Sequence, residues 1–175
     1  MRNNKGFTLI ELMIVASIIV IIAAMAIPSL IRSKLASNEA DAIGAMRTLT
    51  SAQISFQGVC VSDVDNDGIG EFGSFTQLSN AVPAFIDDSL GSGQKSGYAF
   101  MATTSGVANT DEQLWQATAY PITKGLSGNR TFYTDESGVL RGSDVGGATG
   151  VPGIPATRAM ADPALGGNFP PIGNQ

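Results

Sequence analysis

Residues 5–31 read KGFTLIELMIVASIIVIIAAMAIPSLI, and the single carboxylate in this apolar run, Glu11, decides how the rest is read. From Leu12 to Ile31 only Ser17, Pro28 and Ser29 interrupt twenty residues of apolar side chains. At about 1.5 Å per residue, a helix of that length spans about 30 Å, the depth of a hydrocarbon core. Arg2 and Lys5 precede it and favour a cytoplasmic N-terminus, while Arg32 and Lys34 lie just beyond it. The small residues of AAMA, positions 23–26, also fit a cleavable secretory signal, and a plain signal anchor fits the same apolar run. Neither gives a reason for an acid between Ile10 and Leu12. An ionisable group inside an apolar span is costly unless it reaches the headgroups or meets a partner.

Outward from this segment the composition narrows the function. The chain of 175 residues suits one domain of ordinary size. Four of its ten basic residues lie at or before Lys34, so the remainder of the chain carries six basic against fourteen acidic side chains. Such an acidic body lacks the clustered Lys and Arg that bind a phosphate backbone, and no nucleic-acid partner is expected for it. There is no histidine, which removes the commonest general base and transition-metal ligand. Cys60 is the only cysteine, so no intramolecular disulfide or CxxC centre can form. It reads as a buried small hydrophobe, with pairing between chains as the alternative.

The residues Lys5 to Leu12, K-G-F-T-L-I-E-L, resemble the class III signal of type IV pilins and pseudopilins. In that family a short basic leader ends in Gly and is removed on the cytoplasmic side. The new N-terminus, usually Phe, is methylated, and the fifth mature residue is Glu. Gly6, Phe7 and Glu11 match these positions one by one, and Pro28 falls where the family places a helix-loosening proline. The resemblance implies a 1–6 leader, a 7–31 transmembrane and filament-core helix, and a 32–57 amphipathic continuation. Residues 58–175 would form a globular head with a Gly/Pro-rich C-terminal region. The resemblance also implies that Glu11 meets the amine of Phe7 on a neighbouring subunit during assembly into a homopolymer. The implied partners are a prepilin peptidase that also methylates, an assembly ATPase, a platform protein and the inner membrane. The head would be periplasmic before assembly and extracellular after it.

Local patterning places the remaining elements. Pro28 lacks a donor and clashes with the preceding turn, so the helix is expected to kink or open over 24–28. It then resumes to about Gln57, with Leu35, Ala42, Ile43, Met46, Leu49 and Phe56 forming one apolar stripe, and Gly58 as its stop. Residues 72–86 read as irregular with a turn of helix. Strands are expected at 98–104, at 115–122, and at 130–134 and 139–141 around a tight Ser137-Gly138 reversal. The expected fold is α+β: a long N-terminal helix on a small antiparallel sheet of three or four strands, burying Tyr98, Phe100, Trp115, Tyr120 and Phe132. A short helix is expected over 157–160 in an otherwise irregular tail.

One head motif carries ligand chemistry. In DVDNDGIGEFG, Asp63, Asp65 and Asp67 alternate before Gly68, with the Ile69 carbonyl and Glu71 just beyond. This spacing folds oxygen ligands around a hard cation such as Ca2+, with Gly68 permitting the turn. Ser74 occupies the place of the bidentate Glu, so a full EF-hand is not expected; a solvated acidic turn is the competing reading. No catalytic constellation accompanies it: there is no phosphate loop, and GLSGN at Gly125 lacks nucleophile-elbow spacing. Asp87-Asp88 and Asp135-Glu136 read as surface pairs. A non-enzymatic pilus subunit serving adhesion, twitching motility or DNA uptake is the expectation. A type II secretion pseudopilin or a minor pilin is the alternative within that assembly class. A monomeric membrane-anchored binding module is the rival outside it, and that reading gives Glu11 no role.

Overall fold

The computed structural model describes residues 6–104, 112–145, 156, 167 and 169–172. Arg2, Lys5 and the helix expected over 157–160 lie outside them. The chain divides into two units, residues 1–34 and 35–175. Helix α1, Leu9–Gly58, contributes to both.

In the first unit α1 is apolar on every side. Its Leu, Ile, Val and Met side chains stand exposed, and none of them is buried by this chain. Ser17, the polar residue of its middle, returns its hydroxyl to the Ile14 carbonyl at 2.8 Å, so no donor faces outward unsatisfied. The helix is unbroken through Ala24 and Pro28. The opening allowed for at this proline is absent, because a single proline removes only one ladder bond from an otherwise strong apolar helix.

In the second unit the expected stripe is the buried face of α1. Ala42, Met46, Leu49 and Phe56 are buried as the spacing requires, joined by Ala45, Ala52 and Gln53. Leu35 and Ile43 are only half-buried. Gln53, a polar residue outside the expected stripe, is in the core. Its position is inward by helical period, and its amide is satisfied there. Nε2 donates to the Gly73 carbonyl at 2.6 Å, and the Gly73 N–H donates to Oε1 at 2.9 Å. Replacing Gln53 with Leu keeps the volume and strands both backbone groups of Gly73. A loss of at least about 2 kcal/mol is expected, since each stranded buried group costs about 1–3 kcal/mol. Urea unfolding of the detergent-solubilised chain measures it.

The sheet is an antiparallel meander of β1 (Gln94–Lys95), β2 (Tyr98–Thr104), β3 (Trp115–Pro121), β4 (Thr131–Asp135) and β5 (Arg141–Ser143), in that spatial order. One face packs on α1. Phe100 pairs with Ala119, and Ala119 with Phe132, so a small residue separates two rings across three strands. Tyr98, Trp115 and Phe132 are buried in the same cluster, whereas Tyr120 points away and is half-buried. Every residue of β4 is buried, because Ala156 and Phe169 cover Tyr133 on its other face. Asp135, expected at the surface, is therefore buried and accepts from the Ser137 N–H and hydroxyl.

Two turns differ from expectation. The tight two-residue reversal lies at Ser96-Gly97, where Lys95 pairs with Tyr98 and the φ values are 48° and 76°. Both positive values define a type I′ turn, which glycine adopts without strain. Ser137-Gly138 instead belongs to a five-residue loop between β4 and β5, which shifts β5 two residues later than the expected strand. Within 72–86 the expected turn of helix is α2, Phe75–Asn80, capped by Ser74 and Gln77 bonding reciprocally. Helix α3, Asp88–Gly91, comes next. Polar residues of α1 also hold the β3–β4 connection: Asn38 donates to the Ser127 carbonyl at 2.8 Å, and Glu39 accepts from the Asn129 N–H at 3.0 Å.

Candidate functional site

The N-terminal segment begins with Gly6 and Phe7 ahead of the helix, Phe7 being 89% exposed. Thr8 stands at the cap position and Glu11 three residues on. The Thr8 hydroxyl and N–H donate to Glu11 Oε2 at 2.7 and 2.8 Å, and the Glu11 N–H donates to Thr8 Oγ1 at 3.3 Å. This is a reciprocal capping box, in which side chains satisfy helix-start donors that have no intrahelical acceptor. The carboxylate that looks misplaced in an apolar run thus holds the start of its own helix. Both Thr8 bonds converge on Oε2, which leaves Oε1 open to a second donor. Thr8→Val is expected to speed amide exchange at Glu11 in micelles, with Thr8→Ser restoring protection; hydrogen exchange by NMR checks it.

Beyond Glu11, the surface from Leu12 to Ile31 carries side chains that are half exposed or more at nearly every large apolar position. An exposed apolar sheath of this extent requires lipid or other apolar helices around it. Pro28 lies within this sheath.

The acidic loop of the head is separate from this segment. Carboxylate oxygens of Asp63, Asp65 and Asp67 lie within 4.8 Å of one another. The loop is wound by its own backbone: the Gly68 N–H donates to Asp63 at 3.2 Å, that of Asp67 to Asp65 at 3.4 Å, and that of Ile69 to Asp67 at 2.8 Å. Gly68 has φ of 89°, as the expected turn requires. Glu71 stands apart. It is 5% exposed, and its two oxygens accept from the Ser62 hydroxyl and the Val64 N–H, each at 2.6 Å. It closes the loop instead of joining the three aspartates.

Glu112, 47 residues beyond Asp65, feels the charge of this loop. Glu112 precedes β3, and Gln57 near the end of α1 donates to its main-chain carbonyl at 2.5 Å. Burial, then the charges of Asp67, Asp65, Glu71 and Asp63, push its carboxyl above the usual carboxylate range. Cys60, expected to be buried, is exposed at the start of the same loop with φ of 47°. It lies past the end of α1, where the chain has left the packed face.

The geometry defines a long apolar N-terminal helix whose second part lies on a small antiparallel sheet, the architecture of a pilin. A family profile described as "Prokaryotic N-terminal methylation motif" matches residues 1–27. The Type IV major pilin protein PilA of Myxococcus xanthus is 51% identical over 54 residues, 31% of this chain and 24% of that protein. That match thus spans about a quarter of the Myxococcus protein. The Type IV wide pilus major component PilA4 of Thermus thermophilus is 32% identical over 106 residues, 61% of this chain and 78% of that protein. Comparison with solved structures gives no significant match. The chain belongs to the type IV pilin family, whose members are structural subunits and not enzymes.

Proposed function

We propose that this chain is a subunit of a type IV pilus, cleaved after Gly6, methylated at Phe7 and polymerised through its N-terminal helix. The observation that carries this reading is the helix surface from Phe7 to Ile31, apolar and uncovered on all sides, with one carboxylate at its start. Such a surface suits two successive apolar environments, lipid in storage and sister helices in a filament. Before assembly the helix lies in the inner membrane with its N-terminus cytoplasmic and the head periplasmic. A prepilin peptidase with methyltransferase activity, an assembly ATPase and a platform protein complete the pathway, and the filament is extracellular. Glu11 exchanges part of its capping role for the charged amine of Phe7 on a neighbour, and this pairing sets the axial register. Pro28 lies in the zone where the packed helix can loosen.

The acidic loop and the single cysteine favour one second reading, a pseudopilin of a type II secretion system stabilised by a cation in place of a disulfide. Deleting the gene separates the two. A pilin deletion is expected to remove sheared surface filaments and leave protein secretion intact. Loss of secretion with filaments unchanged contradicts the pilus reading.

A further inference from the structure

We propose that the outward face of α1 in the head, with Arg47 at its centre, is the seat for loop 59–69 of a second copy of this chain. The choice of occupant rests on the filament reading, in which every chain is offered the loop of another.

The chain itself leaves this helix face without a partner. Ala40, Gly44, Arg47, Ser51 and Ile54 lie opposite the buried Met46, Leu49 and Phe56, and all five are exposed. Ala40, Gly44 and Ser51 surround Arg47 with small side chains, so another backbone can come close. An added Cβ at Gly44 would meet nothing within 4 Å, so packing within the chain gives no reason to forgo alanine, the better helix former. A neighbour lying against the face supplies that reason. Beside Gly44 a groove of about 350 Å³ runs between α1 and the segment from α3 to β1, with Ala40, Thr48 and Leu90 in its wall.

The loop offers the matching chemistry. Val59, Val61, Val64 and Ile69 are each half exposed or more, a set of large apolar side chains that gains by being covered. Their carrier is held closed: the Glu71 N–H donates to the Ser62 carbonyl at 3.0 Å, and the Glu71 carboxylate accepts from Ser62 and Val64. A projection fixed in this way loses little freedom on docking. Charge then selects the pairing. Among the described residues neither Arg47 nor Asp63, Asp65 and Asp67 form an ion pair; those seen are Lys95–Asp87 and Lys124–Asp144. Arg47 precedes the helix end at Gly58 by eleven residues, about 16 Å of helix, which keeps it from the loop of its own chain. A second copy brings Asp67, the exposed one of the three acids, to Arg47 while its valines enter the groove. Asp41, on the wall of the groove, repels the acids and so keeps them on the Arg47 side. Face and loop are different surfaces, so the contact is heterologous and propagates along a filament instead of closing a dimer.

The test is disulfide trapping in filaments sheared from cells producing Ser51→Cys. Cys60 supplies the second thiol: it is exposed, and its Sγ lies 3.7 Å from the Gly68 carbonyl, beside Asp67. Seven residues of helix, about 10 Å, separate position 51 from Gly58, which puts Cys60 of the same chain beyond the roughly 7 Å Cα reach of a disulfide. Mild oxidation is expected to give a ladder of covalent multimers whose linked peptides join position 51 to Cys60. The wild type, with one cysteine, stops at dimers. Arg47→Glu should lower filament yield by at least about tenfold, Arg47→Lys should leave it near normal, and Arg47→Glu with Asp67→Lys should recover part of the loss. Trp115 fluorescence of each solubilised variant confirms that its head is folded. Filaments built of the Ser51→Cys chain but lacking the link from 51 to 60 overturn the seat and leave the filament reading standing. Absence of the wild-type chain from filaments overturns that reading and the second copy with it. Normal yield with Arg47→Glu overturns the charge pairing that selects this occupant.

Discussion

Glu11→Ala is expected to leave the chain in the membrane and to abolish filaments. Alanine makes the apolar helix more apolar, so insertion loses nothing. Assembly is different. In the proposed filament core the amine of each mature N-terminus would sit among apolar helices, and removing its carboxylate partner would leave a buried charge uncompensated. That penalty recurs at every subunit added, and filament yield should fall by on the order of a hundredfold or more. Glu11→Gln should fail as well, because it keeps a hydrogen-bond acceptor for Thr8 but carries no charge. Quantifying the chain in membrane and sheared-filament fractions of cells producing each variant measures both effects. Filaments at normal yield with Glu11→Ala would reduce the carboxylate to a helix cap.

The second large effect is expected in the head. Phe132 is wholly buried, its ring 5.8 Å from that of Tyr98 and beneath the Arg130 guanidinium at 5.6 Å. It also lies flush against Gly142 of the neighbouring strand, where an added Cβ would come within 2.8 Å of the ring. The surrounding backbone is therefore in a sheet and cannot collapse into the space the ring vacates. Phe132→Ala should cost about 3–5 kcal/mol, a large part of the roughly 5–15 kcal/mol that holds an ordinary domain together. Trp115, the chain's only tryptophan and a member of the same cluster, reports the transition by fluorescence in urea. A loss under about 1 kcal/mol would show that the ring is not central to the core.

The parts legible in the sequence are those with strong local signals. Gly6, Phe7 and Glu11 form a motif within six residues, and α1 carries an apolar stripe at helical spacing through Met46, Leu49 and Phe56. Strands β2 and β3 alternate or run apolar over seven residues each. Gln53 escapes an apolar pattern because it is polar, although its place between Leu49 and Phe56 is inward by period. β1 has only two residues and no pattern of its own; it exists because Ser96-Gly97 reverses the chain onto β2. The same dipeptide type at Ser137-Gly138 points to the wrong hairpin for the tight turn, since dipeptides do not reveal the register of the strands they join. Asp135 is buried because chain from far downstream covers β4, and Gln57 reaches the Glu112 carbonyl only through folding. Neither fact has a local trace.

The measurement that bears most directly on the pilus reading is mass spectrometry of the intact protein in filaments sheared from the native cells. A type IV pilin should give, as the dominant filament protein, a chain beginning at N-methylated Phe7. A chain that retains residues 1–6, or one found only in the membrane while other proteins build the filaments, would contradict it.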